Sequence, residues 1–277
     1  MKPSEFASRN VYIVGGSAGI GLAIACKTAA LGAHVTIFAR RAPLLESATA
    51  AVRAARKNSS QSVLYRVMDA ADHARVIAVM SATVADVGPP DVLINCAGRA
   101  LPRRFEEVTY EQFEETMRVN VHGCWNTVQA VLPHMKGRGG YIVNTSSVAG
   151  LIGVFGYTDY CASKFALIGF SEALRSELKP HDICVSVLCP PDTDTPGFEN
   201  ENRTKPEETR AISGTAKVMT ADAVADVLLR GMAKRQFLIV PGLEGRLSVL
   251  AKRLFPGVVA WVMDRTIAQV GRSRNAR

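Results

Sequence analysis

Apolar residues run along this chain in short blocks separated by longer stretches of helical period. Val11-Tyr12-Ile13-Val14, His34 to Ala39, Val63 to Met68, Asp91 to Asn95, Gly140 to Thr145, Ile183 to Leu188 and Gln236 to Val240 are rich in Val, Ile and Leu. Blocks of this length and composition predict strands buried on both faces. Between them, apolar positions recur at helical spacing up to Leu31, over 43–58, up to Ser81, over 109–136, over 158–179 and over 220–234. Strand and helix alternate throughout, which predicts an α/β fold with a parallel sheet and right-handed crossovers.

At 277 residues the chain is large enough for one such domain, here expected over 1–242. A different pattern follows, over 243–277. Arg246, Lys252, Arg253, Arg265, Arg272 and Arg274 bracket the apolar run Leu254 to Met263. That run is too short to span a bilayer, but with its Trp and basic flanks it suits an interfacial anchor. A dimer contact or a lid over a substrate channel would use the same residues.

No other run reaches the ~18 apolar residues of a spanning helix, and residues 1 to 10 have no apolar core of a signal peptide, so a cytoplasmic protein is expected. The six cysteines show no CxxC spacing and the five histidines no HExxH pairing, which predicts buried thiols and no metal site. The net charge of +8 points to an anionic partner. No zinc-finger, RNP-like or helix-turn-helix pattern accompanies it, so lipid headgroups or a phosphorylated cofactor are expected rather than nucleic acid.

The first strand leads directly into Gly15-Gly16-Ser17-Ala18-Gly19-Ile20-Gly21 and then a helix. Glycines there let backbone approach a pyrophosphate, and the helix N-terminus offers N–H donors. The second strand ends in Ala39-Arg40-Arg41, where an NAD enzyme would place an acid for the ribose hydroxyls. Guanidinium pairs with a 2′-phosphate that a carboxylate would repel, so the cofactor is read as NADPH. Tyr160 and Lys164 lie one helical turn apart on a shared face. A cation beside a phenol favours the phenolate and draws its pKa down from ~10, which makes Tyr160 a candidate proton donor. Ser147 lies thirteen residues upstream, after a strand, and is placed to return to the same spot.

Together with Asn95-Cys96-Ala97-Gly98 and Asn120, these motifs resemble the short-chain dehydrogenase/reductase family over about residues 10 to 240. The resemblance implies a three-layer, doubly wound Rossmann-type fold with a seven-stranded parallel sheet. It implies that Ser147 holds the substrate carbonyl, with Ser146 as the fallback. Tyr160 would then protonate the oxygen, and Lys164 would lower the tyrosine pKa and hold the nicotinamide ribose. Asn120 would kink its helix and link Lys164 to solvent through water. Cofactor contacts are implied for Gly15, Ser17, Ala18, Gly19, Ile20, Gly21, Asn95, Ala97, Gly98, Pro190, Thr193 and Thr195. Asp69 would hold the adenine amino group, or else cap the helix that follows. Val14 stands where the family has Thr, whose hydroxyl ties the first loop to the fourth strand.

The segment Pro190 to Arg210 further resembles the branch of this family that reduces 3-ketodihydrosphingosine, a long-chain keto-amine of sphingolipid synthesis. Reductases of 3-oxoacyl thioesters or steroids share every catalytic motif and remain alternatives, as does an NADPH sensor without turnover. Asp192, Asp194 and Glu199 are candidates to meet the substrate ammonium. Family members are often dimers or tetramers through the helices at 109–136 and 158–179, so a homodimer or homotetramer is expected.

Overall fold

A computed structural model describes residues 1–214 and 217–275. Seven strands form one parallel sheet: β1 (Asn10–Val14), β2 (His34–Ala39), β3 (Val63–Val67), β4 (Val92–Asn95), β5 (Gly140–Thr145), β6 (Ile183–Leu188) and β9 (Leu238–Ile239). Their order is β3-β2-β1-β4-β5-β6-β9, so the chain reverses direction across the sheet between β1 and β4. Doubly wound sheets bind ligands at that switch, beyond the carboxyl ends of the strands. Two-residue strands β7 (Thr193–Asp194) and β8 (Met219–Thr220) form a separate small ladder.

Helices cover both faces, as the alternating pattern requires. On one side α1 (Gly19–Ala30), α2 (Ala42–Ala54) and α9 (Ala221–Ala233) bury Ile24, Ala25, Leu45, Val52, Val224 and Leu228 against Ile13, Ile37 and Ile94. On the other, α3 (His73–Val87), α5 (Gly123–Met135) and α6 (Thr158–Leu178) bury Val76, Met80, Val131 and Leu178 against Tyr12, Leu93 and Ile142. Successive side chains of a strand point to opposite faces, so each strand feeds both cores.

Two local expectations change. Helix α3 is capped by Asp72, whose carboxylate accepts from the Arg75 amide at 3.0 Å, and it runs past Ser81 to Val87. Asp69 is therefore not the cap; its carboxylate accepts from the Ala71 amide in the preceding turn. The long helix at 109–136 is broken into α4 (Tyr110–Met117), a π-turn over Arg118–His122, and α5. Such turns insert one extra residue and are frequent at functional sites. This one carries Asn120.

After β7 come α7 (Pro196–Thr204) and α8 (Glu207–Ser213), and the basic tail folds into α10 (Leu243–Leu254) and α11 (Pro256–Asn275). Helix α11 packs on α8. Residues 276–277 of the tail lie outside the described residues. Among the described residues no helix is long and apolar enough to cross a membrane.

Candidate active site

The phosphate loop is shaped by what cannot fit. Gly15 adopts φ +82°, and a Cβ there would stand 2.5 Å from the Ala97 amide nitrogen. A Cβ on Gly21 would stand 2.2 Å from the Gly15 carbonyl oxygen. The loop therefore packs backbone on backbone, and α1 begins with Ala18 at its cap, whose side chain offers no acceptor. The first amide groups of a helix have no partner within it, the arrangement that binds a pyrophosphate. Val14 offers no hydroxyl for a tie, and main chain alone joins the strands there: the Cys96 amide donates to the Val14 carbonyl and the Gly15 amide to the Phe38 carbonyl, both at 2.8 Å.

A cavity of ≈ 1580 Å³ opens over this loop. Single-ligand sites run to roughly 1,000 Å³, so the space accommodates a dinucleotide and a further large molecule. Ser17, Ala18, Gly19, Ile20, Arg40, Arg41, Asp69, Ala97, Gly98, Pro190, Thr193 and Thr195 all line it, together with Gly15 and Gly21. No carboxylate stands at the end of β2, where Arg40 and Arg41 face the cavity. Thr195 caps α7 by accepting from the Phe198 amide at 3.1 Å, and its methyl lies over Gly19. The residues present thus fit a nicotinamide dinucleotide.

Asn95 is placed elsewhere. It is buried between β5 and α5, donating to Asn144 Oδ1 at 3.0 Å and accepting from the Thr127 hydroxyl at 2.8 Å. It holds β4 to its neighbours and does not line the large cavity.

Helix α6 carries Tyr160 and Lys164 to the cavity wall beside Ser146 and Ser147. Lys164 is 4 % exposed, donates from Nζ to the Thr145 carbonyl at 2.9 Å, and lies 5.5 Å from the Tyr160 ring centroid. Burial lowers its pKa to about 8. The phenol of Tyr160 moves the other way. Burial and then the nearby Glu201 carboxylate push it up, against a smaller opposite pull from the Ser147 hydroxyl. The downward shift expected from Lys164 does not appear: desolvation dominates, and the carboxylates of Glu201 and Asp192 add to it.

Ser147 starts a short 3₁₀ turn by accepting from the Ala149 amide at 3.1 Å. Both serines line the cavity; the hydroxyl of Ser146 donates to the Lys164 carbonyl at 2.8 Å and anchors the helix, and that of Ser147 donates to the Pro190 carbonyl at 3.4 Å. Asn120 stands behind Lys164. It accepts from the Arg99 amide at 2.8 Å and donates to the Arg99 carbonyl and to Ser163 Oγ, which in turn donates to the Tyr160 carbonyl. Beside it lies a void of ≈ 10 Å³, lined also by Asn95, Cys124 and Thr145, at the lower size limit for one water.

Several participants were not foreseen. Asp159, 1 % exposed, accepts from Thr116 at 2.7 Å and from the Tyr160 amide at 2.7 Å, locking the start of α6 to α4. Glu201 lines the cavity and accepts from the Tyr157 hydroxyl; Lys205, with a side chain 3 % exposed, pairs with Glu201 at 3.2 Å and Asp192 at 3.4 Å. The Glu201–Lys205 spacing of one helical turn was a readable signal. Of the three acids expected to meet an ammonium, Asp192 lines the cavity, whereas Asp194 and Glu199 are exposed and do not. The tail helices contribute Gly245, Ser248, Ala251, Val259 and Met263 to the outer wall.

This geometry has parallels. Residues 9–206 match the family model for short chain dehydrogenases. The chain is 42% identical over 258 residues to a 3-dehydrosphinganine reductase of Danio rerio, covering 92% of this chain and 78% of that one. It is 40% identical over 246 residues to a 3-ketodihydrosphingosine reductase of Bos taurus, covering 88% and 74%. Among solved structures, a short chain dehydrogenase/reductase from Burkholderia phymatum in complex with NAD superposes with TM-score 0.80 at 26% identity, over 90% of this chain and 94% of that one. Levodione reductase does so with TM-score 0.78 at 27% identity, over 87% and 98%. With its switch-point cavity, glycine loop and Ser147-Tyr160-Lys164 wall, the chain belongs to the short chain dehydrogenase family.

Proposed function

We propose that this chain reduces the ketone of 3-ketodihydrosphingosine, a long-chain 2-amino ketone, with NADPH. The observation that carries the reading is the single cavity in which Ser147, Tyr160 and Lys164 meet the phosphate loop at one end and the apolar tail helices at the other. The relatives from Danio rerio and Bos taurus, named for that reduction, support the same substrate. Arg40 and Arg41 support the phosphorylated cofactor.

Gly15 to Gly21, Arg40, Arg41 and Asp69 would hold the pyrophosphate and the adenine end of NADPH, which when bound would supply hydride to the carbonyl carbon. Ser147 donates to the carbonyl oxygen and fixes its direction. Tyr160 gives that oxygen its proton, and the raised pKa keeps the phenol protonated at neutral pH, the form a donor needs. Lys164, released from water by burial, returns the proton to Tyr160 and binds the ribose. Asn120, in the π-turn behind it, stands beside the small void that would hold a relaying water.

The tail acts as roof and docking surface. Leu243, Leu247, Leu250 and Leu254 form an exposed stripe on α10, continued by Phe255, Val258, Trp261 and Val262. Val258 and Val262 also line the cavity, so its mouth opens on this stripe. Arg246, Lys252, Arg253, Arg265 and Arg272 flank it, which suits the surface of an anionic membrane from which a lipid enters. Trp125 and Phe165, exposed on α5 and α6, are the face proposed for self-association.

The test is NADPH oxidation by the purified protein against 3-ketosphinganine, an acetoacetyl thioester and a steroid ketone. Turnover with 3-ketosphinganine at least tenfold above the others is expected. Preference for either of the others assigns the chain to a different branch of the family.

A further inference from the structure

The segment over residues 191–213, which lines the cavity beside Tyr160, carries more negative than positive charge. Glu201, Asp192 and Lys205 form one cluster, with two carboxylates facing the cavity and one ammonium buried behind them. Lys205 is fixed there: it lies 4.7 Å from the Phe198 ring centroid, its side chain is 3 % exposed, and it does not line the cavity. Half-buried charge left uncompensated is costly, and a cation brought by a ligand would balance it.

Acceptor capacity is also left over. Tyr157 and Lys205 both engage Glu201 through Oε1, and Oε2 accepts no hydrogen bond among the described residues. Asp192 engages Lys205 through Oδ2, and its Oδ1 is likewise free among them. The position is specific. Tyr157, which donates to Glu201, stands with its ring 5.5 Å from that of Tyr160. The cluster is therefore one aromatic ring away from the proton donor, and in a 2-amino 3-ketone the nitrogen sits on the carbon next to the carbonyl.

We propose that Glu201, assisted by Asp192, binds the substrate ammonium and so selects a 2-amino ketone over the same ketone without the amine. This rests on the reading that the cavity reduces a long-chain ketone. Burial pushes the Glu201 carboxyl up from its ordinary value, against smaller opposite pulls from Tyr157 and Lys205. Lys205 serves to hold the two carboxylates in place, and Tyr157 to aim Glu201. Asp194 and Glu199, exposed outside the cavity, have no part in this.

The experiment compares the full-length wild type with Glu201→Gln, which keeps the size of the side chain and an acceptor for Tyr157. With saturating NADPH, kcat/KM is measured for a long-chain 2-amino 3-ketone and for the same ketone lacking the amine. The ratio between the two substrates should fall at least tenfold in Glu201→Gln, mostly through KM, and by a smaller factor in Asp192→Asn. Equal losses on both substrates, or an unchanged ratio, would overturn the proposal. Calorimetry on NADP⁺-loaded protein provides a readout free of turnover: the wild type should bind dodecylamine at least tenfold tighter than dodecanol, and Glu201→Gln should lose that difference. Equal binding of amine and alcohol by the wild type also overturns it. If neither ketone is reduced but the amine preference is present and depends on Glu201, the reading of the reaction fails while the ammonium site stands.

Discussion

The phosphate loop and the lid face each other across one cavity, yet they are built on opposite principles. Around Gly15 and Gly21, backbone packs against backbone so closely that a methyl group has no room. Across from it, α7 is held by side chains, a buried lysine between two acids and a tyrosine on a carboxylate, and α10 leaves leucines facing outward. The first region recognises what all dinucleotides share, so main-chain groups suffice. The second must recognise one substrate, and only side chains differ enough from one another to do so.

The largest effect should come where the two regions meet. Tyr160→Phe removes the proton donor and should lower kcat by about 10² to 10⁴ while NADPH binding, followed by cofactor fluorescence, persists. Next is the loop itself: Gly21→Ala drives a methyl into the Gly15 carbonyl, and overpacking of about 1–3 kcal/mol predicts a lower Tm and a tenfold or greater loss of NADPH affinity. Replacing Arg40 and Arg41 together by glutamate should cost about tenfold or more in KM for NADPH and leave NADH nearly untouched, read as the ratio of the two.

The pH profile sharpens the contrast further. The pKa of Lys164 is lowered to about 8, while that of Tyr160 is raised, so both groups are protonated below about 8. Activity with the ketone should be level up to that point and fall as Lys164 loses its proton. Stability should change in the opposite sense, because a lysine whose folded pKa is depressed costs stability while it carries charge. That cost is relieved between about 8 and its ordinary 10.5. The smallest effect on the fold is expected in the roof: Leu247→Asp with Leu250→Asp touches exposed positions and should shift stability by less than about 0.5 kcal/mol. Flotation with anionic liposomes should nonetheless be lost, and equal flotation of this variant, or of a chain ended after Leu243, would reject membrane docking.

The same contrast explains what could be read in advance. Strands such as His34–Ala39 and Ile183–Leu188 fall at the boundaries expected of them, because a strand buried on both faces leaves a continuous apolar block. The last strand was expected over 236–240 and pairs only at Leu238 and Ile239, since an edge strand has one partner to order it. The tail was legible as basic and amphipathic but not as two helices roofing the cavity, because its apolar residues signal burial without naming what covers them. Asn95 belongs to a motif that resembles cofactor contacts, yet its amide is spent on Asn144 and Thr127, a pairing that exists only after the sheet has formed. Glu201 escaped notice because its charge reads as solvated until α7 folds down over Tyr157.

The π-turn at Arg118–His122 gives its helix one residue more than α geometry needs. One wider turn takes up that residue, so the α-helix resumes beyond it in phase, and Thr116 keeps its place against Asp159. The surplus is spent sideways: it carries the Asn120 amide out to Arg99 and Ser163 while the fastening at the start of α6 stays as it is.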